Sequence, residues 1–131
     1  MGVPSVSYSA SSATKHVYRA DLSATPVKVF EGRGNLYGFL VDDNSGEDIF
    51  LQVYDSTSVD PNQLTSGNLA FVVRIKADQT FGKDVNDSPY HFFSSGCVVV
   101  VSKERVNKVA LGAGKEAAAQ FWYMVRTAPN P

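Results

Sequence analysis

Four groups of residues in this 131-residue chain have types and spacings that bear on chemistry. Gly32, Gly34 and Gly38 suggest a phosphate-binding turn, because closely spaced glycines let the backbone approach a pyrophosphate. Their spacing is G-x-G-x-x-x-G rather than G-x-G-x-x-G, and the residues that follow read as a strand. A phosphate site of that kind needs a helix N-terminus there, so a hairpin turn is expected instead. Asp42, Asp43, Asn44, Glu47 and Asp48 gather oxygen ligands within seven residues. A calcium loop places its glycine five positions after the first aspartate and closes with a bidentate glutamate. Here Gly46 follows Asp42 by four, with no closing glutamate, so a solvated acidic hairpin tip is expected and no metal.

His16 and His91 are the only histidines, and neither stands in an H-x-E or H-E-x-x-H context. Zinc catalysis normally takes three protein ligands. Cys97 is the single cysteine and runs into four valines, so it reads as a small buried hydrophobe rather than a nucleophile. One cysteine also excludes a disulfide framework, and no G-x-S-x-G elbow occurs. No catalytic residue, cofactor or metal is expected, and the chain reads as a non-enzyme. A hydrolase built from His91 and loop carboxylates is kept as a rival, because distant loops can assemble a catalytic site.

The elements that position these residues are strands. The chain has 18 Val and 2 Ile against 7 Leu, a β-branched bias that suits a pleated sheet. Period-2 alternation marks Val27–Glu31 and Phe71–Ala77, the spacing of side chains on a strand; Glu47–Asp55 is apolar on both faces, as a well-covered strand is, and Leu36–Asp42 is a strand set off by turn residues on either side. Further strands are expected at His16–Ala20, Cys97–Ser102, Arg105–Leu111 and Phe121–Arg126. Gly32–Asn35 and Asp43–Gly46 supply turn residues between them. Ser56–Asn68 is a longer polar loop, with a turn at Asp60-Pro61-Asn62. Lys115–Gln120 is the one stretch of good helix formers, enough for a single turn. About eight strands in one chain of this length imply an all-β fold, an antiparallel β-sandwich of jelly-roll-like or immunoglobulin-like topology.

Composition bounds the partners. With 12 Lys+Arg against 13 Asp+Glu, the net charge of -1 argues against strong phosphate binding, so no nucleic acid is expected. The longest apolar run, Cys97–Val101, is too short to cross a bilayer, and no membrane partner is expected. Met1–Thr14 lacks the basic start and apolar stretch of a signal peptide, and Val6 is not the Ser or Thr of a myristoylation motif. These fourteen residues contain no charged side chain and read as an N-terminal arm, either a flexible tail or a segment ordered by a neighbouring subunit, ahead of a single domain at 15–131. Val3, Val6 and Tyr8 in the arm, and Asp60 and Pro61 in the long loop, are the candidate partner contacts. Among the aromatics, Phe92, Phe93 and Phe121 are expected in the core. Trp122, Tyr123, Tyr37 and Tyr54 lie on strands with a face free to carry an aromatic platform, and Trp122 joins the partner-binding candidates.

Gly34-Asn35-Leu36-Tyr37-Gly38, then Phe50–Asp55, Ile75-Lys76-Ala77 and Phe92–Val101, follow a recognisable order. A strand ends in V-Y-D, a polar loop follows, then a strand near I-x-A, then an F-x-x-G step into a valine-rich strand. In this the chain resembles the small β-sandwich virion structural proteins of tailed bacteriophages, the group that includes capsid decoration (cement) proteins. The resemblance covers about Thr25 to Ser102. It implies a virion protein assembled in the host cytoplasm, touching the major capsid protein or other virion proteins, and a homo-oligomer, a trimer first. It carries no catalytic or cofactor residues. The alternative from a different class is a glycan- or receptor-binding module of a phage tail, using Trp122.

Overall fold

The computed structural model describes residues 14–85 and 89–125. The alternating segments form nine strands: β1 (Lys15–Leu22), β2 (Val27–Glu31), β3 (Gly34–Asp43), β4 (Ile49–Asp55), β5 (Leu69–Ile75), β6 (Thr80–Lys83), β7 (His91–Phe93), β8 (Gly96–Ser102) and β9 (Ala117–Val125). Their antiparallel pairings are nested, β1 with β9, β2 with β8, β3 with β6 and β4 with β5. The chain is one long hairpin, with the β4–β5 connection at its tip, rolled over on itself. Sheet A runs β1-β9-β3-β6, with β7 also paired to β3, and sheet B runs β2-β8-β4-β5. A five-stranded and a four-stranded layer filled in this nested order make a jelly roll, which decides between the two topologies left open by the sequence. The arm candidates Val3, Val6 and Tyr8 lie outside the described residues.

The core sits between the sheets, where Ile49, Leu51 and Val53 of β4 and Cys97, Val99 and Val101 of β8 meet Leu36, Phe39, Val41 and Phe121 of sheet A. A second cluster lies on the other side of sheet B, where Tyr54, Val98 and Val100 are covered by Leu64 from the loop after β4. Strand β8 is therefore buried on both faces, which is why its sequence is apolar without alternation. The turn Pro61–Gln63, capped by Asp60 through a 3.0 Å bond from Asn62 N, presents Leu64 to that face.

The strand expected at Arg105–Leu111 is instead an irregular loop lying over the outer face of sheet B. Its backbone is satisfied by side chains rather than by a neighbouring strand. Gln52 Nε2 donates to the carbonyls of Glu104, Arg105 and Asn107 at 3.0, 3.2 and 2.9 Å, and Gln52 Oε1 accepts from the Tyr54 hydroxyl at 2.6 Å. Ser102 Oγ donates to Asn107 O and accepts from Val109 N at 2.8 Å. The helical turn expected at Lys115–Gln120 is also absent, because Ala117–Gln120 is extended in β9. This strand runs between β1 and β3 and finds backbone partners on both sides, and its small Ala117 and Ala119 fit the core. Phe93 and Phe121 are buried as expected, but Phe92 points out of sheet A and is 46% exposed.

Two local features hold the frame. Asp55, at the end of β4, accepts from Ser94 N and Oγ and from Ser95 N at 2.9–3.0 Å, which ties the β7–β8 turn to sheet B. Gly38 sits beside a bulge in β3, where a Cβ would come within 2.6 Å of Lys83 O and 2.7 Å of Val85 Cγ2. Only glycine allows the segment after β6 to close over β3.

Candidate interaction face

Sheet A differs from sheet B in having an outer face that, among the described residues, lacks a comparable covering over β1 and β9. Because Phe121 points into the core, Gln120 and Trp122 point outwards, the consequence of side chains alternating along a strand. Register places His16 opposite Trp122 and Tyr18 opposite Gln120, while Leu40 of β3 flanks Gln120 on the other side. The His16 ring lies 4.8 Å from the Trp122 ring at 31°, and its Nε2 donates to Gln120 Oε1 at 2.9 Å. Trp122, Gln120 and Leu40 are half-buried, and Tyr18 is 56% exposed. The face therefore offers a pre-positioned indole, a phenol and a polar imidazole–carboxamide pair side by side.

A second aromatic group closes the flank of the sandwich where β5 faces β6 and β7. Phe71 of β5 lies 5.9 Å from Phe39, 5.1 Å from Tyr90 and 5.5 Å from His91, and Phe81 lies 6.0 Å from Phe39. Phe81 and Tyr90 remain 41% and 40% exposed. Lys83 Nζ lies 5.5 Å from the Tyr90 ring centroid, a cation–π contact.

The remaining candidates separate. Asp60 and Pro61 are exposed on the loop over sheet B, on the side of the sandwich opposite Trp122. Tyr37 and Tyr54 are buried, so neither forms a platform, and Tyr123 stacks on Phe30 at 5.0 Å. His16 and His91 belong to β1 and β7, with β9 and β3 between them. Cys97 is buried in the core, and burial, with the charge of Asp55, pushes its thiol far above the ordinary range.

The acidic tip is divided among separate partners. Asp42 accepts from Thr80, Glu47 from Gly112 N, and Asp48 from Arg74 and Ala77 N. Asp43 is 1% exposed and accepts from Ser45 N and Oγ through Oδ1, while its buried Oδ2 has no hydrogen-bond partner. Burial pushes the Asp43 carboxyl up against the pull of Ser45, and Asp78 and Asp48 add to the rise. Among the described residues no group of three His, Cys, Asp or Glu side chains is placed to hold a metal ion, and no helix is long and apolar enough to cross a membrane.

Sequence reasoning singled out Trp122 but not Tyr18, Gln120 or the Phe71–Phe81–Tyr90 flank that the structure places on these faces. The parity of His16-Val17-Tyr18 and Gln120-Phe121-Trp122 carries the first two, once the inward residue of each triplet is known. No family model matches the chain, and no curated protein or solved structure shows significant similarity to it.

Proposed function

We propose that this protein is a non-enzymatic assembly protein that docks other proteins on the outer face of sheet A, and that it is a capsid decoration protein of a tailed bacteriophage. The observation that carries the docking role is the contrast between the two outer faces. Sheet B is covered by its own loops, whereas sheet A presents Tyr18, Leu40 and Trp122 together. Adjoining apolar groups on a surface mark interaction sites, and Trp and Tyr are the side chains that anchor such interfaces. The capsid assignment follows from the sequence resemblance, with the major capsid protein as partner, a homo-oligomer as the active form and the virion as its place. A non-enzymatic role agrees with the buried thiol, the separated histidines and the divided carboxylates.

The test is a binding titration of purified protein onto cognate heads that lack it, with release of packaged DNA on heating as the second readout. Wild type binds saturably and raises the temperature of release. Trp122→Ala weakens binding about tenfold or more, the loss expected of an interface anchor, while its own melting temperature stays near wild type. Failure of wild type to bind heads refutes the capsid reading. Equal binding by Trp122→Ala refutes the use of this face.

One observation favours a second reading. Trp122 beside Tyr18 and the His16–Gln120 pair is also how a sugar ring would be held, one face on an indole and its hydroxyls on polar groups. Jelly rolls serve as lectin as well as capsid domains. A glycan- or receptor-binding tail module predicts saturable sugar binding and a shift in Trp fluorescence, both lost in Trp122→Ala. A glycan screen without hits removes it.

A further inference from the structure

The four sheet edges are not equally protected. Strand β1 carries Lys15, Arg19 and Asp21, with an Arg19–Asp21 ion pair. Strand β2 is five residues long with a Lys28–Glu31 pair, and β6 is four residues long and contains Gly82 and Lys83. Charges, short length and irregularity are how proteins stop an edge from recruiting another strand. Strand β5, Leu-Ala-Phe-Val-Val-Arg-Ile, is the least protected of the four: its one irregularity is the shift at Ala70, where Val53 faces Phe71 and Tyr54 faces Leu69. It is seven residues long and among the described strands pairs only with β4, and its single charge, Arg74, is drawn onto Asp48 at 2.7 Å. Its first five residues are half-buried, and the exposed Phe81 and Tyr90 lie beside it at the open flank.

The chain contains a segment that fits this edge. Residues 6–12, Val-Ser-Tyr-Ser-Ala-Ser-Ser, are seven in number, uncharged, and alternate apolar with serine at Val6, Tyr8 and Ala10. Laid along β5, such a strand turns Val6, Tyr8 and Ala10 towards Phe71, Phe81 and Tyr90 and leaves the serines in water. We propose that the free edge of β5 takes residues 6–12 of a second copy of this chain as an added strand of sheet B. The same chain cannot supply it. From Ser12 to Lys15 the backbone reaches at most about 11 Å. Lys15 begins β1, the far edge of sheet A, and an added strand beyond β5 lies about four strand spacings across and one sheet away, roughly 22 Å. The donor is therefore another molecule. This is strand addition, in which backbone bonds supply affinity and alternate side chains supply specificity.

The inference rests on the assembly reading only in that self-association serves it, and its test uses neither heads nor glycans. Native mass by light scattering and amide exchange across β5 are measured for the full wild-type chain and for the full-length double variant Val6→Asp/Tyr8→Asp, whose changes touch none of the nine strands. Wild type is expected to run at a multiple of 14.2 kDa, with β5 amides protected. The variant is expected as a monomer whose β5 amides exchange about tenfold faster or more. A peptide of residues 5–13 added to the variant should restore that protection. A monomeric wild type, or equal β5 protection in both proteins, overturns the proposal. An oligomer broken by Trp122→Ala but not by the arm variant also overturns it, while leaving the docking role of sheet A standing.

Discussion

The Gln52 carboxamide latches the 103–109 loop onto sheet B, and removing it gives a loss whose size follows from its bonds. Gln52→Leu keeps the volume and deletes both polar atoms. The two Nε2 hydrogens, shared among three carbonyls at 2.9–3.2 Å, count as about two net bonds at about 1 kcal/mol each. The Tyr54 hydroxyl, on a side chain 2% exposed, is left without its 2.6 Å acceptor, which costs about 1–3 kcal/mol. The loop carbonyls recover some hydration, so the expected loss is about 3 kcal/mol, or about 10 °C in melting temperature for a domain of this size. Tyr54→Phe alone should cost about 1–2 kcal/mol, because it strands Gln52 Oε1 instead. In the double variant no polar atom of the pair is orphaned, so its cost should fall short of the sum of the singles by about 1–2 kcal/mol. Urea unfolding of the four proteins measures the cycle, and faster amide exchange at Lys103 and Val109 reports the released loop. A Gln52→Leu loss under about 1 kcal/mol, or strict additivity, refutes the latch.

Burial raises the Asp55 carboxyl, but its bonds from Ser94, Ser95 and Gly96 outweigh it and hold the group below the ordinary aspartate range. A lowered folded-state pKa stabilises at pH above the unfolded value, and that stability is lost as the pH falls through the folded one. Asp55→Asn should therefore cost about 2 kcal/mol at pH 7. The gap from wild type, followed by urea unfolding across pH, should shrink as the pH drops below about 4. Asp78 holds a positive φ of 59° in the β5–β6 turn. Asp78→Gly should raise stability by about 0.5 kcal/mol, whereas Asp78→Val should lower it by about 1–2 kcal/mol, because β-branching resists that conformation; equal melting temperatures for the two would contradict this.

The strands that alternation could locate were those with one face in the core. Val27–Glu31 was legible to the residue, and β3, β4 and β5 within two residues, because their inward valines, leucines and isoleucines outnumber the exceptions, while β8, buried on both faces, was legible from its unbroken valine run. Strand β6 escaped because four residues around Gly82 carry no period. Arg105–Leu111 misled because its β-branched residues serve a loop whose backbone is satisfied by Gln52 and Ser102, partners more than one residue away in space and sequence. Ala117–Ala119 misled in the opposite direction, since helix propensity yields when two neighbouring strands claim the backbone. For the site, Trp122 could be singled out by residue type alone. Its partners could not, because His16 and Gln120 stand 104 positions apart and meet only through the β1–β9 register.

The nested pairing also sets when this molecule can fold. Among the described strands β1 bonds only to β9, and β2 only to β8, so these two strands must wait for two made much later in the chain. Until residues beyond 96 have emerged, β4 and β5 can close their local hairpin, but neither sheet can be completed. Loop-closure entropy over such separations slows folding, and the waiting apolar strands are open to wrong partners. A chain stopped before β9 would leave β1 with nothing to pair with and Phe39 and Val41 of β3 without their neighbours at Phe121 and Ala119. The sandwich therefore cannot close until β8 and β9 are free to pair, and those two strands decide whether the earlier ones find their places.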